Sequence, residues 1–117
     1  MNNQYVSVRL TLFRHGAESF LAGLDQAAIS HTPVHSYSTR PQNSGLVEMI
    51  TALSEAMPWN AVAKVVVAWI EARKSREVII YTGTGESFHV KGYSAFEVQK
   101  LLVISTNVVV IDTKPED

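Results

Sequence analysis

The residues best suited to chemistry in this chain are an arginine and a histidine that follow a short apolar segment. Arg14 and His15 lie directly before Gly16, at the end of the string Leu-Phe-Arg-His-Gly. An imidazole can accept a phosphoryl group as a nucleophile, and a guanidinium can hold phosphate oxygens through two parallel hydrogen bonds. The pair could therefore support phosphoryl transfer if the fold supplied the other groups that this reaction needs.

This string resembles the Arg-His-Gly motif of the histidine phosphatase superfamily, in which the histidine is phosphorylated and the arginine holds the phosphate. The resemblance implies a phosphoryl-transfer enzyme that uses His15 and Arg14. That superfamily places an acidic or amide residue after the glycine, whereas Ala17 stands there in this chain. It also needs a second histidine, and His89 is the only later histidine on an expected strand. A motif of three residues specifies little, so we interpret the string as a plain strand-to-helix turn. Phosphoryl transfer by His15 and Arg14 is the alternative function.

Two further histidines are four residues apart, a spacing at which a helix would present both to one metal ion. His31 and His35 are separated by Pro33, however, and proline forbids a helix there. No cysteine is present and no nearby carboxylate completes a ligand set. We interpret both histidines as ordinary surface residues of a loop.

A glycine-containing turn and a basic cluster are the remaining candidates for binding. The sequence Gly-Thr-Gly-Glu at residues 83–86 lacks the third glycine of a dinucleotide loop and the lysine of a phosphate loop, so it indicates a turn. Arg73, Lys74 and Arg76 cluster at the expected end of a helix, where cations suit the negative pole of its dipole. We interpret them as solvated side chains and assign no catalytic, cofactor-binding or metal-binding residue.

Length and composition limit the class of protein. The chain has 117 residues, which fits a single domain over residues 1–117, with a polar tail at 113–117. The net charge of −1 provides no field that would attract nucleic acid or a membrane surface, so neither is expected as a partner. The absence of cysteine excludes disulfides and thiolate metal sites. The first residues lack a signal-peptide pattern, which predicts a cytoplasmic protein.

The apolar pattern predicts an α+β fold with two layers, in which helices cover a mostly antiparallel sheet. Val6, Val8, Leu10 and Leu12 alternate with more polar residues, so the first strand has one buried face. A sheet covered on one face is typical of α+β proteins. The predicted helices are 17–30, 46–56, 58–75 and 94–102, and the predicted strands are 5–13, 34–39, 77–82, 86–91 and 108–111.

The helix predicted over residues 58–75 is the most apolar element. Trp59, Val62, Val66 and Trp69 form one continuous stripe at helical spacing, and the polar strip opposite them is narrow. The neighbouring helices are short, so we expect some apolar surface of this helix to remain uncovered. Self-association would bury such a surface, most simply in a homodimer.

The order of the elements resembles a small bacterial family, the effector-associated constant component proteins. The matching features are a helix containing Gly-Leu at residues 44–50, an apolar helix with a tryptophan and a basic cluster at 67–76, and then a hairpin and a short helix to Leu102. The resemblance implies a non-catalytic part of a bacterial conflict or signalling system, coupled to variable effectors. It carries no catalytic residues and no cofactor, and it predicts an adaptor with a protein partner.

Overall fold

The computed structural model describes residues 4–13, 15–34 and 46–115. They form a six-stranded open sheet in the order β2-β3-β1-β6-β4-β5 with three α-helices. In chain order, the elements are β1 Tyr5–Leu12, α1 Ala17–Gln26, β2 Thr32–Pro33, β3 Leu46–Leu53, α2 Trp59–Glu71, β4 Arg76–Thr82, β5 Ser87–His89, α3 Ala95–Val103 and β6 Ser105–Asp112. Strands β1 and β6 run parallel, and the other neighbouring pairs are antiparallel. The predicted α+β class is confirmed.

The three helices pack on one face of this sheet. In β1, Val8, Leu10 and Leu12 are fully buried and belong to the same hydrophobic core as Phe20 of α1 and Val66 of α2. The intervening residues of the central strands are half-buried or exposed, because among the described residues no helix covers them. We call this second surface the open sheet face and define it by Arg9, Thr11, Val47, Met49, Glu77, Ile79, Tyr81, Val109 and Ile111.

The prediction of a helix over residues 46–56 is wrong. Leu46–Leu53 is strand β3, which pairs with β1 along its whole length, and only Ser54–Ala56 form a short 3-10 helix. The strand carries apolar residues on both faces, and that pattern imitates helical spacing. Glu48 hid the alternation further, because it is a carboxylate at a core-facing position. In the stretch 44–50 that resembles the effector-associated family, the described residues 46–50 therefore belong to a strand.

Apart from the edge strand over residues 34–39, the other predicted elements are found with shifted ends. The helix start at Ser94 is a capping box, in which the Ser94 hydroxyl accepts from the Glu97 N–H and the Glu97 carboxylate accepts from the Ser94 N–H. The last strand is twice as long as predicted and begins at Ser105. The predicted edge strand 34–39 lies mostly outside the described residues, and β2 ends at Pro33. None of the described helices is long and apolar enough to cross a membrane.

Helix α1 ends earlier than predicted, in a Schellman motif. The Ile29 N–H donates to the Leu24 carbonyl and the Ala28 N–H donates to the Asp25 carbonyl. This geometry puts Ala28 at a φ of 60°, in the left-handed region that glycine usually occupies. Ile29 is buried, so the motif also anchors the chain to the core as it leaves the helix.

Replacing Ala28 with glycine is expected to raise the free energy of unfolding by about 0.5–1 kcal/mol. The left-handed conformation costs alanine roughly 1–2 kcal/mol, and the greater chain entropy of glycine returns only part of the gain. Urea denaturation of the two proteins measures the difference. Ala22→Gly, in the helical part of α1, is the control and should destabilise; a loss of stability in Ala28→Gly as well would contradict the assigned helix end.

Candidate functional site

Arg76 is the centre of a buried polar cluster at the sheet edge where β1 and β6 end. It is 7% exposed and starts β4, so it is not the solvated helix-end cation that the sequence indicated. Its Nε donates to Asp112 Oδ2 at 3.1 Å, and its Nη1 donates to the Trp69 carbonyl at 3.0 Å. The guanidinium lies 4.5 Å from the centre of the Trp69 ring. These contacts make Arg76 a structural cation that ties β4 to β6 and to the end of α2.

Asp112 balances this buried charge. Its side chain is fully buried, and it accepts hydrogen bonds from the Ser75 hydroxyl at 2.6 Å and the Lys114 N–H at 3.0 Å. Arg73 adds a second cation at 3.5 Å. Burial alone would raise the pKa of Asp112, but the hydrogen bonds from Ser75, Lys114 and Arg76 outweigh burial and hold the pKa below its usual value. The carboxylate is thus ionised and fully occupied by structural partners.

Trp69 completes the cluster and packs against the turn that contains His15 and Gly16. Its indole N–H donates to the Ser19 hydroxyl at 2.8 Å, and its ring meets Phe20 edge-on at 5.5 Å. A Cβ built on Gly16 would lie 2.7 Å from the Trp69 ring and 3.4 Å from Asp112 Cβ. Glycine is therefore needed at position 16 for close packing against the indole.

Gly16→Ala is expected to destabilise the protein by about 1–3 kcal/mol, because the added methyl group meets an indole that Phe20 and Arg76 already confine. Chemical denaturation measures the loss. Gly23→Ala is the matched control within α1: its Cβ would lie 3.2 Å from a Val65 methyl group, which has to shift by only a few tenths of an ångström, and alanine improves helix propensity by about 1 kcal/mol. Equal losses in the two variants would contradict a specific contact at Gly16.

The phosphatase-like string is only partly described. His15 is exposed in the turn before α1, and Arg14 lies outside the described residues. His89, the expected second histidine, is three strands away, level with Thr11 through Val109 and Ile79. Three strand spacings place His89 roughly 14 Å from Thr11, four residues before His15. The His89 side chain contacts Glu77 instead. The described residues do not bring a second histidine to His15.

His31 is not a solvated loop residue but the middle of an ionic triad. Its Nδ1 donates to Glu48 and its Nε2 donates to Asp25, each at 2.8 Å. Glu48 is 7% exposed, so this contact supplies the counterion for a buried carboxylate. Burial lowers the pKa of His31, yet the hydrogen bonds and charges of Glu48 and Asp25 more than compensate, and the net pKa is raised. His35 lies outside the described residues.

The free energy of unfolding is expected to fall as the pH rises from about 6.5 to above the folded-state pKa of His31. Because the folded pKa is raised, the folded state holds a proton that the unfolded state releases first, and the stabilisation is complete only below the unfolded pKa. Urea melts across this range measure the slope. His31→Gln should remove the part of the slope that His31 causes, and an unchanged slope in this variant would contradict the triad.

The Gly83–Glu86 segment is the turn that the sequence indicated. Gly85 has a φ of 88°, and the Thr82 N–H donates to the Glu86 carbonyl to close the β4–β5 hairpin.

The predicted polar tail is held to the domain by hydrogen bonds as far as it is described. Thr113 donates to the Ser75 carbonyl through its N–H, and Arg73 donates to the Pro115 carbonyl.

Two apolar surfaces on opposite sides of the domain are the features most suited to binding. One is the open sheet face. The other is a groove between α1 and α2, here called the α1–α2 groove, with a volume of about 480 Å³. The sequence predicted uncovered apolar surface on α2; the Val62 and Val66 stripe is buried, and the uncovered part lies at Ala61 and Ala68, with Trp69 at its edge. The groove is lined by Gly23, Ala27, Ala61, Lys64, Val65 and Ala68, among others.

Within the described ranges, no group of three or more acidic, histidine or cysteine side chains could hold a metal ion. Comparison of the chain with family models, curated proteins and solved structures found no match. A function for this protein therefore has to be inferred from its own residues and their arrangement.

Proposed function

We propose that this chain is a non-catalytic protein-interaction domain, an adaptor that acts in the cytoplasm as part of a bacterial conflict or signalling system. The observation that supports an adaptor is the pair of apolar surfaces on opposite sides of the domain, the open sheet face and the α1–α2 groove. An adaptor needs two separate surfaces to bridge two proteins. Exposed apolar surfaces of this kind commonly mark protein contacts.

The α1–α2 groove is suited to an apolar side chain from a partner protein. Ala61, Val65 and Ala68 of α2 line the groove with Gly23 and Ala27 of α1, so each wall includes small residues, and the rest of the lining is Gln26, Lys64 and Trp69. Such walls leave a concave site that a leucine or an aromatic ring can enter, and burying it there is worth about 1.5–3 kcal/mol. The resemblance to the effector-associated constant component family favours a variable effector as the source of that side chain.

Calorimetric titration against each protein encoded beside the gene tests this proposal. We expect one of them to bind, and Ala61→Glu to weaken that binding about tenfold or more by placing a carboxylate in the groove. Asn60→Glu is the matched control: it adds the same charge one residue earlier, at an exposed position. Failure of every encoded neighbour to bind, or equal binding by both variants, would count against the groove.

The alternative function is phosphoryl transfer by His15 and Arg14. One observation favours it: His15 is exposed beside the first turn of α1, and helix N-termini suit phosphate groups. A phosphomonoester assay on the purified wild type and on His15→Ala separates the two functions. The adaptor proposal expects no turnover from either protein. Turnover that disappears in His15→Ala would establish the enzyme instead.

A further inference from the structure

We propose that the open sheet face is the interface of a symmetric homodimer, in which Arg9 of each protomer pairs with the partner's Glu77. The inference rests on the proposed function only in treating this face as an interaction surface, and it names a second copy of the chain as the occupant. Four considerations support it: the central row of side chains, the placement of two charges, the state of the polar groups and the size of the face.

The middle of the open sheet face is a nearly apolar row that crosses four strands. Val47, Thr11, Val109 and Ile79 are direct neighbours in the register, on β3, β1, β6 and β4. All four are half-buried although no described helix packs on them. Facing sheets in proteins bury such rows against each other at a separation of about 10 Å.

Two opposite charges are placed symmetrically about Val109, the centre of this row. Arg9 lies on β1, two residues before Thr11, and Glu77 lies on β4, two residues before Ile79. Because β4 runs antiparallel to β1, the two residues lie in opposite directions along the strands and on opposite sides of β6. A two-fold axis that passes over Val109, midway between two facing sheets and perpendicular to the line from Arg9 to Glu77, therefore exchanges the two positions and creates the same ion pair twice.

Arg9 is available for this pairing. It is exposed and has no ion pair or hydrogen bond among the described residues. Glu77 is 38% exposed at its side chain and contacts His89 at the outer strand. An arginine brought onto this carboxylate would gain a charge-assisted hydrogen bond that neither residue has with the other in a single protomer.

The hydroxyl groups of Ser7, Thr11 and Thr51 on this face are already paired within the protomer, so covering them costs little. The Thr11 hydroxyl donates to the Asn107 side-chain oxygen at 2.9 Å, and the Ser7 and Thr51 hydroxyls share a hydrogen bond of 3.0 Å. Polar groups that keep their partners after desolvation do not oppose association. The face can therefore be dried without leaving these hydroxyls unsatisfied.

The size of the face indicates a weak, reversible dimer. Four strands spaced about 4.8 Å apart and seven residues long give a face of roughly 19 by 23 Å, or about 450 Å² in projection. Stable interfaces bury about 800 Å² of accessible surface on each partner, so this one lies towards the small end of the range. The dimer is expected to dissociate on dilution through the micromolar range.

Sedimentation equilibrium on the full chain and four variants tests the proposal. Arg9→Glu and Glu77→Arg should each weaken dimerisation about tenfold or more, because each places two like charges together twice. The double variant Arg9→Glu/Glu77→Arg should restore it. Lys74→Glu, at an exposed position off the face, is the charge-reversal control and should dimerise as the wild type does.

Three results would overturn the proposal: a wild type of 12.9 kDa at every concentration, dimerisation that both single variants leave unchanged, or a double variant as weak as the single ones. Arg9 and Glu77 do not belong to the core, and far-ultraviolet circular dichroism of each variant verifies that it folds. A monomeric wild type whose groove still binds a neighbouring protein would remove this inference and leave the proposed function standing.

Discussion

Replacing Asp112 with alanine is expected to reduce the free energy of unfolding by about 3–5 kcal/mol, because it breaks a buried ion pair by removing one partner. The change leaves the Arg76 guanidinium buried without the carboxylate that its Nε contacts at 3.1 Å. It also removes the acceptor of the Ser75 hydroxyl and a counterion of Arg73. Domains of this size are stable by only about 5–15 kcal/mol, so the variant would be close to unfolding.

Urea denaturation of Asp112→Ala, followed by circular dichroism, measures this loss. The double variant Arg76→Met/Asp112→Leu is the informative control, because it removes the buried cation together with the carboxylate that its Nε contacts and should recover part of the stability. A loss below about 1 kcal/mol in Asp112→Ala would show that the carboxylate is solvated, which contradicts its burial.

Trp69→Ala is expected to cost about 3–5 kcal/mol, because it removes the largest side chain of the α2 core and leaves a cavity beside Phe20. Trp69 is 6% exposed, and the substitution also takes away the ring over which Arg76 lies. Trp69→Phe keeps an aromatic ring and loses mainly the hydrogen bond to Ser19, so a smaller loss of about 1–2 kcal/mol is expected.

Parallel urea melts of the three proteins test this prediction and report the slope with denaturant as well as the midpoint. An alanine variant that loses less than about 1 kcal/mol would show that Trp69 lies at the surface. Trp69 would then belong to an interface. The close packing of Gly16 against the Trp69 ring would be contradicted by the same result.

Elements whose pattern reflects local physics were predictable from the sequence. The alternation in β1, the apolar stripe of α2 and the helix predicted from residue 94 each depend on residues close together in the chain, and each is confirmed. The β4–β5 hairpin was found for the same reason, since its turn requires a positive φ that Gly85 provides. The α+β class followed from the single buried face of β1.

Features that depend on distant partners were not predictable in the same way. Glu48 concealed strand β3, because a carboxylate at a core position breaks the expected alternation of apolar and polar residues. Its partner His31 lies 17 residues earlier, so no local pattern showed that this carboxylate is neutralised. Asp112 and Arg76 are 36 residues apart, so no local pattern joins them. One signal was available: both are charged residues in the same alternating register as buried valines, Val110 and Val78, which suggests mutual neutralisation.

The proposed adaptor bridges proteins through two separate surfaces, the open sheet face and the α1–α2 groove. The mass of the assembled complex tests this arrangement. Sedimentation equilibrium of the chain mixed with the neighbouring-gene protein that binds it should give two copies of each. That stoichiometry follows from the proposed homodimer, in which the open sheet face would join two protomers while each α1–α2 groove stays accessible on the opposite side. A complex with one copy of each protein, formed as the homodimer disappears, would mean that both partners compete for one surface and would contradict the account.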